Sequence, residues 1–186
     1  EKNLKKIVRE DSLFCPDMQA AAAMEKKITA VRKKGDSLGG VVEIIVSGCP
    51  AGLGEPVFDK MDADLAKALM SIGSVKAVEI GDGMEAARRM GSEVNDQMNK
   101  KGFKTNHAGG ILAGITNGEK IILYAYCKPI PSIAQPQKTI DSKGKERIIE
   151  IEGRHDICVL PRIVPVCEAM VNIVVADHLL RQKAVR

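Results

Sequence analysis

The sequence predicts an α+β fold in one compact domain spanning 1–186, and three observations carry that prediction. Apolar residues recur at helical spacing over 17–34, 59–72 and 165–181, the pattern of helices with one buried face. Two short runs rich in β-branched residues, 41–47 and 74–80, have strand character. Two further apolar runs flank Asn117-Gly118, the dipeptide best suited to a two-residue hairpin turn because both positions need positive φ.

In chain order, Asp17 is placed to cap the first helix, Ala20, Ala21, Met24, Ile28 and Val31 form its apolar stripe, and Gly35 ends it. VVEIIVS (41–47) is a strand, and GCPAGLGEP (48–56) holds too much Gly and Pro for any regular element. Met61, Leu65, Leu69 and Ile72 share one face of the second helix, and SVKAVEI (74–80) is a short strand closed by Gly81-Asp82-Gly83. The polar segment 84–104 reads as a short helix followed by a flexible loop. A hairpin is expected over 109–126 about Asn117-Gly118, then an extended KPIPS (128–132), since Pro129 and Pro131 exclude a helix interior. TIDS and ERIIEIE, around Lys143-Gly144, suggest another hairpin. The last helix, from Pro165 to about Arg181, is apolar around most of its circumference and is expected to be buried.

Composition excludes several classes of function. A chain of 186 residues with 45% hydrophobic content buries a substantial core and is not disordered. Aromatics make up 3%, with no Trp, so no base-stacking nucleic-acid surface is expected, and the net charge of +4 is spread over interspersed signs. Cys15, Cys49, Cys127, Cys158 and Cys167 are odd in number and irregular in spacing. That pattern predicts reduced thiols in a cytoplasmic protein, with no disulfide frame and no metal site. The longest apolar stretch, about Val159 to Val175, is interrupted by Arg162, Pro165 and Glu168, so no membrane span is expected. The first residue is Glu1, within a charged segment taken as a solvated end, and the chain reads as a fragment or a processed product.

Three segments are unusual for structure alone. The Gly-rich loop 48–56 leads to a helix and has backbone N–H groups to offer an anion, although it matches neither a Walker A loop nor GxGxxG. The second pairs TNHAGG with KPIPS: if the 109–126 hairpin forms, its outer ends converge and bring Asn106 near Lys128. The plainer alternative is an exposed loop His107 and a solvated Lys128. The third, GRHD, crowds Arg154, His155 and Asp156 ahead of an apolar helix. Arg suits a phosphate and Asp suits proton work, and a structural Arg–Asp pair is the equal alternative. His178, beside Asp177, reads as a surface or interface residue.

These segments resemble chorismate synthase. GLGEPVFDKMDADLAKALMSIGSVKAVEIGDG, NHAGGILAGITNG, KPIPSI and GRHDICVLPRIVPVCEAM stand in the family's order and at similar intervals, with DMQAAAAMEKKI before them and ADHLLRQ at the close. The likeness runs from about Cys15 to the C-terminus, and it implies helices packed between antiparallel β-sheets in a homotetramer. It implies the anti-1,4 elimination of phosphate from 5-enolpyruvylshikimate 3-phosphate with reduced FMN, and NADPH only if the protein also reduces its own flavin. Flavin contacts are implied at Gly73, Ser74, Ala113, Lys128, Pro129, Ile130, Pro131, Ser132 and Arg154. Asp156 is implied as a proton acceptor near the flavin N5, and Asn106 falls in a motif near the active site. Here Ile157 replaces the usual Pro after GRHD, and Ala77 and Met84 depart from KGVEIGxGF.

The family's catalytic histidines and several substrate-binding arginines lie in N-terminal motifs that this sequence does not contain. His107, His155 and His178 do not replace them by motif. A non-catalytic module that binds FMN or serves oligomerisation is the alternative reading.

Overall fold

The computed structural model describes residues 2–185, with side chains from residue 6 onward. In chain order the elements are α1 (Lys2–Glu10), α2 (Met18–Arg32), β1 (Gly40–Val46), α3 (Met61–Met70), β2 (Val75–Ile80), α4 (Gly83–Ala86) and α5 (Gly91–Val94). There follow β3 (Met98–Asn99), β4 (Gly102–Phe103), β5 (Ile111–Leu112), β6 (Ile115–Thr116), β7 (Ile121–Cys127), β8 (Gln137–Ile140), β9 (Glu146–Ile149) and α6 (Leu160–Val185). They group into two compact units, one made of 1–40 and 128–164, the other of 41–127 and 165–186. The mixture of helices with small antiparallel sheets is the α+β class expected.

In the first unit Asp17 caps α2 as predicted, its Oδ1 accepting the N–H groups of Gln19 and Ala20 at 2.8 and 3.1 Å. Gly35, at φ +66°, ends the helix by turning the chain out of it. Only Ala21 of the predicted stripe is fully buried, and Met24 is exposed. The hairpin of β8 and β9 forms as expected about Gly144, with Asp141 Oδ1 accepting the N–H groups of Lys143 and Lys145. Helix α1 forms where the sequence reading expects only a solvated charged end, although Leu4, Ile7 and Val8 stand at helical spacing.

The second unit holds a three-stranded sheet in the order β1-β7-β2, with β2 and β7 antiparallel. One face of β7 (Ile121, Leu123, Ala125 and Cys127) is buried, as are Met61, Leu65 and Leu69 of α3 and Cys167 and Val171 of α6. These aliphatic and sulfur side chains make the core that the near absence of aromatics required.

Two expectations about turns and loops fail. Asn117-Gly118 is not the tip of a two-residue hairpin. The strand pair is β5 with β6, turning at Ala113-Gly114, where both residues have positive φ (+51° and +81°). A tertiary contact selects that turn: the Met61 N–H, at the start of α3, donates to the Gly114 carbonyl at 2.8 Å, and a β-carbon at Gly114 would strike the Lys60 side chain. The premise for bringing Asn106 to Lys128 is therefore absent. The 84–104 segment likewise holds two short helices and the β3–β4 pair, where one helix and a flexible loop were expected.

Helix α6 is longer at both ends than predicted. Pro161 lies in its first turn, where a missing N–H costs nothing, so the helix starts before Pro165. It is not wholly buried: Val166, Ile173 and Leu180 are exposed on one stripe, while Ile163, Cys167, Val171 and His178 are covered. Its length and apolarity also meet what a membrane span needs, where the sequence reading expects none, because three interruptions leave the mean hydropathy high. His178, expected as a surface or interface residue, is 2% exposed within the chain, its Nε2 2.9 Å from Asp64 Oδ2 on α3.

Candidate functional site

In the first unit, residues 153–158 run without regular structure into α6 and are held from one side by Ser37 and Leu38. The Leu38 N–H donates to the Ile157 carbonyl at 2.7 Å, and Leu38 makes a parallel bridge with Cys158. The buried Ser37 hydroxyl donates to the Ile130 carbonyl at 2.6 Å. Residues 37–38 thus fasten the Pro-containing loop and the GRHD segment to one strut. The sequence reading passed over Ser37, because a serine following Asp36 is an ordinary turn signal; its burial is set by tertiary contacts alone.

The result is a cavity of ≈ 450 Å³ lined by Ile130, Arg154, His155, Asp156 and Arg162. A second, of ≈ 530 Å³, shares Arg154, His155 and Asp156 and adds Leu13, Ile28 and Arg32. The predicted Arg154, Asp156 and Ile130 are therefore together, while Lys128, Pro129 and Pro131 are exposed and Ser132 is half-buried. Arg154 and Asp156 do not pair with each other. Asp156 Oδ2 instead meets Arg162 Nη1 at 3.0 Å, and Arg154 has no ionic partner among the described residues. His155 Nε2 is buried without a hydrogen-bond partner, a state that costs about 1–3 kcal/mol unless a ligand or water supplies one.

The second unit holds the other predicted positions. Gly73 and Ser74 form the turn from α3 to β2, and Ala113 occupies the β5–β6 turn. Ser74 and Ala113 have φ of +77° and +51°, and with Phe14 and Phe58 they are the non-glycine residues at positive φ among those described. Such conformations cost roughly 1–3 kcal/mol and cluster at ligand sites. Asn106 serves its own loop: Oδ1 accepts the Gly110 N–H and Nδ2 donates to the Lys120 carbonyl, both at 2.8 Å.

His107 is not a loose surface histidine. Its Nδ1 lies 2.7 Å from Asp82 Oδ2, which also meets Arg89 at 2.9 Å. Asp96 beside it accepts from the Thr105 hydroxyl and the N–H groups of His107 and Ala108. Burial pushes its carboxyl pKa up, yet those hydrogen bonds and the nearby imidazole outweigh burial and leave it lowered. The anion reading of the Gly-rich loop is corrected in part. The Gly52 and Leu53 N–H groups are consumed by the Thr116 carbonyl and hydroxyl at 2.8 and 2.9 Å, which leaves this loop a structural tie.

A family model described as chorismate synthase matches residues 2–180. The chorismate synthase of Syntrophus aciditrophicus is 63% identical over 173 residues, which is 93% of this chain and 49% of that protein. That of Desulfosudis oleivorans is 59% identical over 178 residues, 96% of this chain and 50% of the relative. A crystal structure of chorismate synthase superimposes with a TM-score of 0.78 at 34% identity, covering 96% of this chain and 48% of that one. The chain spans about half the length of the relatives it matches.

Proposed function

Because this chain belongs to the chorismate synthase family, we propose that it forms the C-terminal half of an enzyme eliminating phosphate from 5-enolpyruvylshikimate 3-phosphate, and that it supplies the flavin-facing part of the active site. The observation that carries this reading is the convergence of Arg154, Asp156 and Ile130 on one cavity. Its donors suit a flavin phosphate and ring: unpaired Arg154, the orphaned His155 Nε2 and an apolar wall at Ile130.

Reduced FMN, when bound, would supply electron density to the elimination with no net redox change. Arg154 binds the anionic end of the ligand with its planar fork. Asp156, held at Oδ2 by Arg162, accepts the departing proton. Ser74 and Ala113, flavin contacts by the family resemblance, hold positive φ, a strained conformation that clusters at ligand sites. Lys128 adds a cation to the Pro-stiffened loop through Ser132. The general acids of the reaction belong to the other half of the fold.

The odd number and irregular spacing of the five cysteines fit reduced thiols and a cytoplasmic setting. A homotetramer is implied by the family resemblance alone; the exposed apolar stripe of α6 fits a surface that further chain covers. The test is flavin binding by a chimera in which this chain replaces the matching half of the Syntrophus relative. Arg154→Ala is expected to weaken FMN affinity by roughly tenfold or more, the loss of a charge-assisted hydrogen bond. Unchanged affinity removes Arg154 from the site.

A further inference from the structure

We propose that Arg162 is a positioning residue that aims the Asp156 carboxylate, a role resting on the reading of Asp156 as proton acceptor. Asp156 sits on irregular chain four residues ahead of α6, where nothing in the backbone limits rotation of its side chain. The usual Pro is absent, and Ile157 stands in its place. The backbone is pinned instead through the Ile157 carbonyl, which accepts from Leu38 at 2.7 Å. That bond fixes the peptide but not the carboxylate.

Arg162 supplies the remaining constraint. It lies in the first turn of α6, a rigid frame, and its Nη1 meets Asp156 Oδ2 at 3.0 Å. That contact is made through Oδ2, beside the cavity that both residues line. A carboxylate has about four lone-pair sites, so an ion pair at Oδ2 restrains the group while others stay open to receive a proton. The Arg162 side chain is 75% exposed, against 33% for Asp156, so it contributes little to packing. Its removal therefore reports on the carboxylate and not on the fold.

The experiment uses the same chimera and compares Arg162→Gln, Arg162→Lys, Asp156→Asn and the Arg162→Gln/Asp156→Asn double variant. Misplacing a reacting group by about 1 Å costs up to about a hundredfold in rate, so Arg162→Gln is expected to lower kcat by roughly ten- to a hundredfold. KM and flavin affinity are expected to stay within about twofold, the pattern of an interaction made in the transition state. Arg162→Lys recovers most of the rate. In the Asp156→Asn background Arg162→Gln changes kcat by less than about twofold, since the group it aims is already gone.

A rise in KM with kcat intact overturns the proposal in favour of Arg162 gripping the substrate anion. Equal losses in both backgrounds overturn it as well. If Asp156→Asn alone leaves kcat unchanged, the proton-acceptor reading falls and takes this inference with it. A readout free of turnover is the Asp156 side-chain carboxyl 13C resonance in this chain by itself. It is expected to move in Arg162→Gln and to return toward its original position in Arg162→Lys; an unmoved resonance refutes the contact.

Discussion

The pair of His178 and Asp64 offers the sharpest test of how the second unit is held together. His178 is 2% exposed on α6, and its Nε2 meets Asp64 Oδ2 of α3 at 2.9 Å. Replacing it by Ala removes a hydrogen bond to an ionisable carboxyl, about 1.5–3 kcal/mol. It also opens a void the size of an imidazole, roughly 1–2 kcal/mol at ~24 cal/mol per Å³. Asp64 keeps 21% of its side chain exposed and rehydrates in part, which trims the sum to about 3 kcal/mol. For a chain of this length that corresponds to a fall in Tm of roughly 6–12 °C. Urea unfolding followed by far-UV circular dichroism measures the loss directly. Asp64→Ala and the double variant complete a cycle whose coupling is expected to be about 1–3 kcal/mol. A loss below about 0.5 kcal/mol, the range of ordinary surface substitutions, would refute the reasoning and return His178 to the surface.

Two smaller effects follow from the turns and loops. Ala113 is exposed at φ +51°, so Ala113→Val, which places a β-branched side chain there, is expected to destabilise by about 1–3 kcal/mol, while Ala113→Gly is neutral or slightly stabilising. Equal stability of the Val and Gly variants in thermal unfolding would show that the positive φ is not enforced. Asp96, with its pKa lowered in the folded chain, contributes stability that is fully present above the pKa of an unfolded aspartate. That contribution is lost as pH falls through the lower folded value. Amide-exchange protection of His107 and Ala108 is expected to drop across that acid window, and Asp96→Asn to show the weaker protection at all pH. Protection independent of pH in the unaltered chain would contradict the three hydrogen bonds assigned to this carboxylate.

Much of the fold was legible because it is encoded locally. Asp17 caps α2, Met61, Leu65 and Leu69 repeat at helical spacing, and the branched residues of β1 prefer a pleated backbone. The order and spacing of four motifs were enough to name the family, since motif content does not depend on knowing how the chain folds back. The choice between two plausible turns was not legible. Ala113-Gly114 wins over Asn117-Gly118 because the Gly114 carbonyl is needed by the start of α3, about fifty residues earlier in the chain.

The chemistry divides along the same line. Residue type alone marked Arg154 and Asp156 as a cation and a carboxylate suited to phosphate and proton work. Which arginine meets Asp156, and that Ser37 ties the Ile130 loop to this neighbourhood, were decided only in the folded chain. The physical reason is the reach of the forces involved. Periodicity, caps and motifs act over a few residues and are written in their spacing. Burial of His178 and the strut at 37–38 join partners that sequence distance does not predict, and packing alone brings them within a hydrogen bond of each other.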